Sequence, residues 1–252
     1  MAGKFIPGIY NYCDRWCERC TLSSRCRNYE GVARLSPEEQ HIDNEAFWNG
    51  IAVSLEKAIG LLHEVALQHG HDLSAIPDEE IQQYSQMLKN RDHVIGAHPL
   101  SLLSRKYQQT VTPFLKKELH EQLVDTVRRM TSQLHMGMNT EEELVYTMAK
   151  LGRCYDVIQW YCYFIGTKIQ RALSGKMEDA DEDHLQSDSN GSAKIAVIAI
   201  ERSMGAWKHW LEGIPASEDM ALPALAILSS IRRQVLEVFP DAMQFKRPGF
   251  DD

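Results

Sequence analysis

From Ser36 onward apolar residues recur every three or four positions nearly throughout, and no segment carries a convincing strand pattern or an internal repeat. A chain patterned this way has one economical way to bury its apolar faces, helix against helix. The expected fold class is therefore all-α, a bundle of about six or seven helices. Ser36, Pro37 and Glu39 form a capping box. Phe47, Ile51, Leu55, Ala58, Leu62 and Val65 then share a face up to a stop at Gly70. A shorter helix is expected over about 78–88, and two further pieces kink at Pro113, the second with a stripe from Leu115 to Leu134. Thr140 and Glu143 form another box, opening a helix expected to run to about Leu173, roughly 50 Å long. Around "VIQWYCYFIG" it is apolar on more than one face, so it is expected at the centre of the bundle, with Gly152 and Gly166 admitting a close neighbour. An acidic stretch at about 174–191 reads as a flexible surface loop. Helices are expected from about Ser192 and over about 222–239, with Phe245 and Phe250 of the tail docked on the body.

The first 35 residues depart from this pattern. "CDRWCERCTLSSRC" places Cys13, Cys17, Cys20 and Cys26 within fourteen residues, whereas the remainder of the 252-residue chain holds only Cys154 and Cys162. The division expected is an irregular metal-binding arm over 1–35 and a helical bundle over 36–252. Three disulfides are a poor explanation. Cys154 and Cys162 lie about 12 Å apart along one helix, too far to bridge, and the other four crowd too closely to staple distant segments. The opening "MAGKFIPGIYNYC" has no apolar core of signal-peptide length, and no apolar run approaches the ~20 residues of a membrane span. A reducing cytoplasm is the expected location, with no membrane partner. A chain of this length can bury a large core, so metal is not expected to be needed merely to fold.

Thiolates are soft ligands, and four in one short loop suit zinc or an iron–sulfur cluster. Zinc knuckles usually separate two close pairs by a longer stretch, which the C-x3-C-x2-C-x5-C spacing lacks. A compact zinc knuckle remains geometrically possible. A [4Fe–4S] cluster presents four iron corners a few ångströms apart, within reach of a tightly coiled loop. Cys13, Cys17, Cys20 and Cys26 are the expected ligands, with Zn2+ as the alternative metal. Tyr10, Tyr12 and Trp16 flank them, either to shield the site or to anchor the arm.

The segment "CERCTLSSRC", Cys17 to Cys26, resembles the C-x2-C-x5-C [4Fe–4S] module of SPASM domains and the iron-staple of RecB-type nucleases. In both, a further cysteine completes the set, and Cys13 takes that place here. The resemblance covers ten residues and implies cluster ligation by Cys17, Cys20 and Cys26. It implies no nuclease activity, because the acidic and lysine motifs of that family sit on a mixed sheet. Cys13, Cys17 and Cys20 also match the C-x3-C-x2-C spacing of radical SAM enzymes. That family has an aromatic residue where this chain has Arg19, a β/α barrel where this chain has helices, and an open iron that Cys26 would cap.

Other constellations are weaker. Glu38-x-x-His41 with Glu45 offers half of a di-metal carboxylate signature, with no second half on another helix. Asp179, Asp181 and Asp183 alternate like a calcium loop but lack its glycine and its terminal glutamate. His63, His69 and His71 crowd one helix end, where they favour the dipole. Ser192 is expected as an N-cap, at a helix start able to receive an anion. Asp156, Glu201 and Arg202 stand beside apolar helical stretches and would mark a pocket if buried together, with Glu45 a further candidate. No nucleophile elbow, phosphate loop or dinucleotide fingerprint is present. The net charge of −8 argues against a nucleic-acid partner, although Lys4, Arg15, Arg19, Arg25, Arg27 and Arg34 give the arm a basic lean. The expected function is a redox or regulatory role with a protein partner. The alternatives are a metal-stapled interaction module, or an enzyme whose pocket among the helices is remote from the metal.

Overall fold

The computed structural model describes residues 4–178 and 184–251, which are all helix, turn and coil, with no strand among them. The all-α class expected from apolar periodicity is what the chain adopts. No helix of the described residues is long and apolar enough to cross a membrane. Internal contacts divide the chain into Met1–Asp92 and His93–Asp252.

In the N-terminal unit three 3-10 turns, Ile9–Asn11, Cys17–Arg19 and Ser23–Arg25, lead into α1 (Arg27–Ala33), α2 (Pro37–Gln40) and α3 (Glu45–Gln68). The Ser36–Glu39 box forms as expected, but it caps only four residues. The Asn44 side chain accepts from Ala46 N and restarts the helix, so the segment from Ser36 to Gly70 is two helices rather than one. Gly70 does end α3, at φ +79°, a conformation that suits glycine. Only Ile9 and Cys26 are buried among the described residues of this unit.

Helix α4 (Asp78–Ala97) contains the division point and runs nine residues beyond the expected end. Pro99 is what stops it. His98 before it is extended, as a pre-proline residue should be, and its Nδ1 accepts from Leu100 N to cap α5 (Pro99–Pro113). Pro113 has no N–H to offer a helix. The chain absorbs it with a π turn over Phe114–Glu118, in which Leu119 N bonds Phe114 O, before α6 (Leu119–His135) continues.

The Thr140–Glu143 box is present in both halves, at 3.2 and 2.9 Å. It opens α7 (Glu141–Glu178), followed by α8 (Asp188–Gly213) and α9 (Glu218–Val238). Helices α7 and α8 run antiparallel: a Cβ on Gly175 would meet Ser189 N, while one on Gly213 would meet Leu151. Ala221, Ala224, Leu228, Ile231 and Val235 form the buried stripe of α9, and α5, α7, α8 and α9 share the core. The segment buried on every side is the first half of α8 and not part of α7: residues 189–197 are all buried, whereas Tyr163 of α7 is 56% exposed. The small residues of "SNGSAKIAV" let neighbours close in all round. Ser192 is therefore a fully buried interior residue and not the N-cap. That role falls to Ser187, whose Oγ accepts from Asn190 N. The expected loop at 174–191 shrinks accordingly, because α7 extends to Glu178 and α8 starts at Asp188. Asp179, Asp181 and Asp183 lie outside the described residues.

Buried polar groups tie the core together. Trp207 Nε1 donates to Tyr107 Oη at 3.0 Å, and Tyr107 shares a hydrogen bond with Ser203 Oγ at 3.0 Å, all three residues being fully buried. Burial pushes the Tyr107 hydroxyl far above its ordinary value, so it stays protonated. The three glycines of α7 differ in the room around them. A Cβ on Gly152 meets nothing within 4 Å, whereas one on Gly175 would lie 3.1 Å from Ser189 N and 3.3 Å from its Cα. Gly152→Ala is expected to raise stability by up to about 1 kcal/mol through helix propensity. Gly175→Ala is expected to lower it, because crowding of about 1–3 kcal/mol against backbone outweighs the same gain. Thermal melts of the two variants should shift in opposite directions. Gly166 keeps the close neighbour expected of it, Gln108 Nε2, at 2.6 Å from a built Cβ.

The tail docks as expected through Phe245, which is buried. Lys194 reaches out of α8 to Phe245 O at 2.6 Å and to Asp251 at 2.7 Å, and Arg247 also pairs with Asp251 at 2.7 Å. The Arg247 guanidinium, with Lys194, holds the Asp251 carboxyl well below the usual carboxylate range. A depressed folded-state pKa stabilises above the unfolded value of about 3.9 and loses that contribution as pH falls below it. The melting difference between wild type and Asp251→Asn should thus be constant from neutral pH down to about 5 and shrink in stronger acid.

Candidate metal centre

The arm is a chain of tight turns closed on itself. Ile6 N donates to Arg25 O at 3.0 Å, so residues 6–25 form one loop that contains Cys13, Cys17 and Cys20 and ends against Cys26. Cys17 opens a 3-10 turn whose closing bond is Cys20 N to Cys17 O, 3.1 Å. Cys26 N closes the next turn on Ser23 O, and Cys26 O accepts from Glu30 N at the start of α1. Cys20 and Cys26 thus occupy the same local position, the extended residue after a 3-10 turn. This repetition is the structural content of the short gaps. Between Cys13 and Cys17 the chain turns at Arg15, the one non-glycine residue of positive φ (59°) among those described. Such a conformation costs about 1–2 kcal/mol. The Asp14 carboxylate accepting from Trp16 N at 3.2 Å helps to hold it.

None of the six cysteines is in a disulfide. Cys26 is buried, at 8% exposure, and Cys13, Cys17 and Cys20 are half-buried. Burial pushes the Cys17 thiol up, and the charges of Cys13, Glu18, Cys26 and Cys20 add to it. Cys17 therefore lies within electrostatic reach of the three other cysteines of the arm. Cys13 Sγ points back at Tyr10 O, 3.6 Å away. As placed, no three His, Cys, Asp or Glu side chains among the described residues are drawn together closely enough to hold an ion. The fit is one of donor chemistry and of chain closure: three soft thiols lie in a single bonded loop and a fourth, Cys26, directly follows it.

The surroundings are aromatic and basic. The Arg19 guanidinium stacks 3.9 Å from the centre of the Trp16 ring, and Lys4 and Arg27 lie over Phe5. Lys4 also pairs with Glu30 at 2.7 Å, fixing the start of the arm to α1. Arg15, Arg19, Arg25 and Arg27 are exposed, so the loop presents positive charge to solvent.

The remaining candidates do not assemble. His41 has left the helix that holds Glu38, and Glu45 begins a different one, so the di-metal register is broken between them. His69 caps the end of α3 and His71 follows it, as a dipole role requires. Glu201 is exposed and pairs with Arg232 at 2.8 Å, while Arg202 donates to Tyr161 Oη at 2.9 Å. Sequence reasoning missed a cavity of about 500 Å³ in the C-terminal unit, walled by Ile95, Leu173, Met177 and Val238, with His98 and Lys176 on its lining. Burial, with Lys176 nearby, lowers the His98 pKa. Its residues come from three segments far apart in sequence, and no local motif joins them. Asp156, Glu201 and Glu45 do not line it.

No family model matches the chain, and neither does any curated protein or solved structure.

Proposed function

We propose that the chain is an iron–sulfur protein whose arm binds a [4Fe–4S] cluster through Cys13, Cys17, Cys20 and Cys26. Its role is redox or regulatory: electron transfer to a protein partner, or a response to cluster loss in a reducing cytoplasm. The observation that carries this reading is the closure of the arm by Ile6 and Arg25, which keeps Cys13, Cys17 and Cys20 in one loop with Cys26 directly after it, none of them in a disulfide. When bound, such a cluster supplies one-electron chemistry, and four cysteine ligands leave no iron open to substrate. The chain's own residues set the conditions. Half-buried thiols limit solvent at the site. The exposed Arg15, Arg19 and Arg25 favour added negative charge, hence a higher potential, and a docking partner with an acidic surface. Titration with dithionite under argon, followed by electron paramagnetic resonance, tests the role. One electron per chain taken up reversibly supports it, and a centre that accepts none counts against it.

One observation favours a second reading, a metal-stapled interaction module with iron–sulfur or Zn2+ as the staple. Only Ile9 and Cys26 are buried among the described residues of the N-terminal unit. A segment with so small a core needs a cross-link to hold its shape, whatever the length of the whole chain.

A further inference from the structure

Helix α3 runs for 24 residues without one buried side chain, and every residue from Trp48 to Val65 is exposed. In a polar helix this would be ordinary. Here Trp48, Ile51, Leu55, Leu62 and Val65 are each 45–62% exposed, as are Ile59 and Leu61. Monomeric proteins rarely leave contiguous apolar surface beyond a few hundred Å².

The spacing of these residues identifies what covers them. Trp48, Ile51, Leu55, Ala58, Leu62 and Val65 follow one another at intervals of 3, 4, 3, 4 and 3. That is the a/d repeat of a coiled coil, with a period of 3.5, sustained over nearly three heptads. In this register Ala52, Ile59 and Ala66 fall at e, and Phe47, Ser54 and Leu61 at g. The charges Glu56, Lys57 and Glu64 stay on the outer b and c positions. Flanking e and g charges are what select a partner of different sequence and repel an identical helix. Beyond Glu45 in its first turn, α3 has none, so nothing in it opposes its own copy. Seven large apolar side chains at these exposures, those of Trp48, Ile51, Leu55, Ile59, Leu61, Leu62 and Val65, present surface on the order of the ~800 Å² per partner of a standard interface, while Val53 and Leu67 stand on the outer f positions.

We infer that α3 is a self-association helix, pairing along its Trp48–Val65 stripe with α3 of a second copy of this chain. The test is sedimentation equilibrium of the full-length protein from micromolar to about 100 µM, with circular dichroism on the same samples. Wild type is expected at twice 28.8 kDa. The Leu55→Glu/Leu62→Glu double variant is expected at one chain mass with its helicity retained, since neither side chain has a buried neighbour to lose. Should the charged variant precipitate, Leu55→Ala, which keeps helix propensity, is expected to raise the dimer dissociation constant at least about tenfold. A wild-type monomer at the highest concentration overturns the inference, whether α3 is then covered by its own chain or by a different protein. A dimer that both variants leave intact overturns it as well.

Discussion

Cys20→Ser protein is expected to lose its metal almost completely while keeping nearly all of its helix. The two outcomes separate because they depend on different units. Cys20 lies in the closed loop of the arm, and a serine hydroxyl is a hard, protonated replacement for a soft thiolate. The burial that stabilises α5, α7, α8 and α9 lies in residues 93–252 and involves no cysteine of the arm. Structural metal sites contribute on the order of 10 kcal/mol to the segment that holds them. The arm should accordingly open, and trypsin should cut at the exposed Arg15, Arg19 and Arg25 much faster than in wild type. Cys162→Ser supplies the contrast. That thiol is fully buried in α7, and burial pushes its pKa up to about 11. Placing a hydroxyl there is expected to cost about 1–3 kcal/mol and leave the metal in place. Metal analysis beside a thermal melt reads both variants. A Cys20→Ser chain that retains a full metal complement would remove Cys20 from the ligand set.

The largest loss of stability is expected for Trp207→Ala. Trp207 is fully buried in α8, lies 5.6 Å from Phe114 between ring centres, and donates its indole N–H to Tyr107. Truncation removes a large apolar contact and opens a cavity, together worth about 3–5 kcal/mol. It also removes one of the two partners of the buried Tyr107 hydroxyl, adding to the cost. At roughly 2–4 °C per kcal/mol for a chain of this size, the melting temperature should fall by about 6–20 °C. Tyr107→Phe isolates the polar part. It leaves the shape intact but deprives Trp207 Nε1 of its acceptor, for about 1–3 kcal/mol. If the two variants cost the same, packing around Trp207 contributes little and the polar bridge stabilises the core more than the ring does.

Helix type and many boundaries were readable in the chain because their codes are local. Ser36 with Glu39 and Thr140 with Glu143 sit three residues apart, and both boxes are formed. Pro113 marks a fault in the helix whatever surrounds it. Where local codes compete, the sequence is ambiguous. "SDSNGS" offers several N-cap residues in succession, and the burial of residues 189–197 selects Ser187, the first of them. Asn44 could as well have stayed inside a helix, and its capping bond to Ala46 is what divides α2 from α3. The centre of the bundle is hard to read for a related reason. Aromatic residues make α7 look central, yet the all-round burial belongs to Ser, Asn, Gly and Ala of α8, whose small size matters and whose hydropathy does not.

The candidate site was legible in composition and spacing, and illegible in geometry. Four cysteines in fourteen residues stand out in any reading. The bond that closes their loop joins two backbone groups, Ile6 and Arg25, whose side chains carry no signal of it. The left-handed turn at Arg15 is equally silent, since arginine has no preference for it. The thin core of the N-terminal unit depends on which apolar residues find neighbours, and periodicity alone counts them all as buried.

Iron and acid-labile sulfide, measured on protein purified without oxygen, bear most directly on the nature of the centre. About four of each per chain, lost in Cys20→Ser, is the expected result. A colourless protein with a single zinc per chain, or with no bound metal at all, would contradict it.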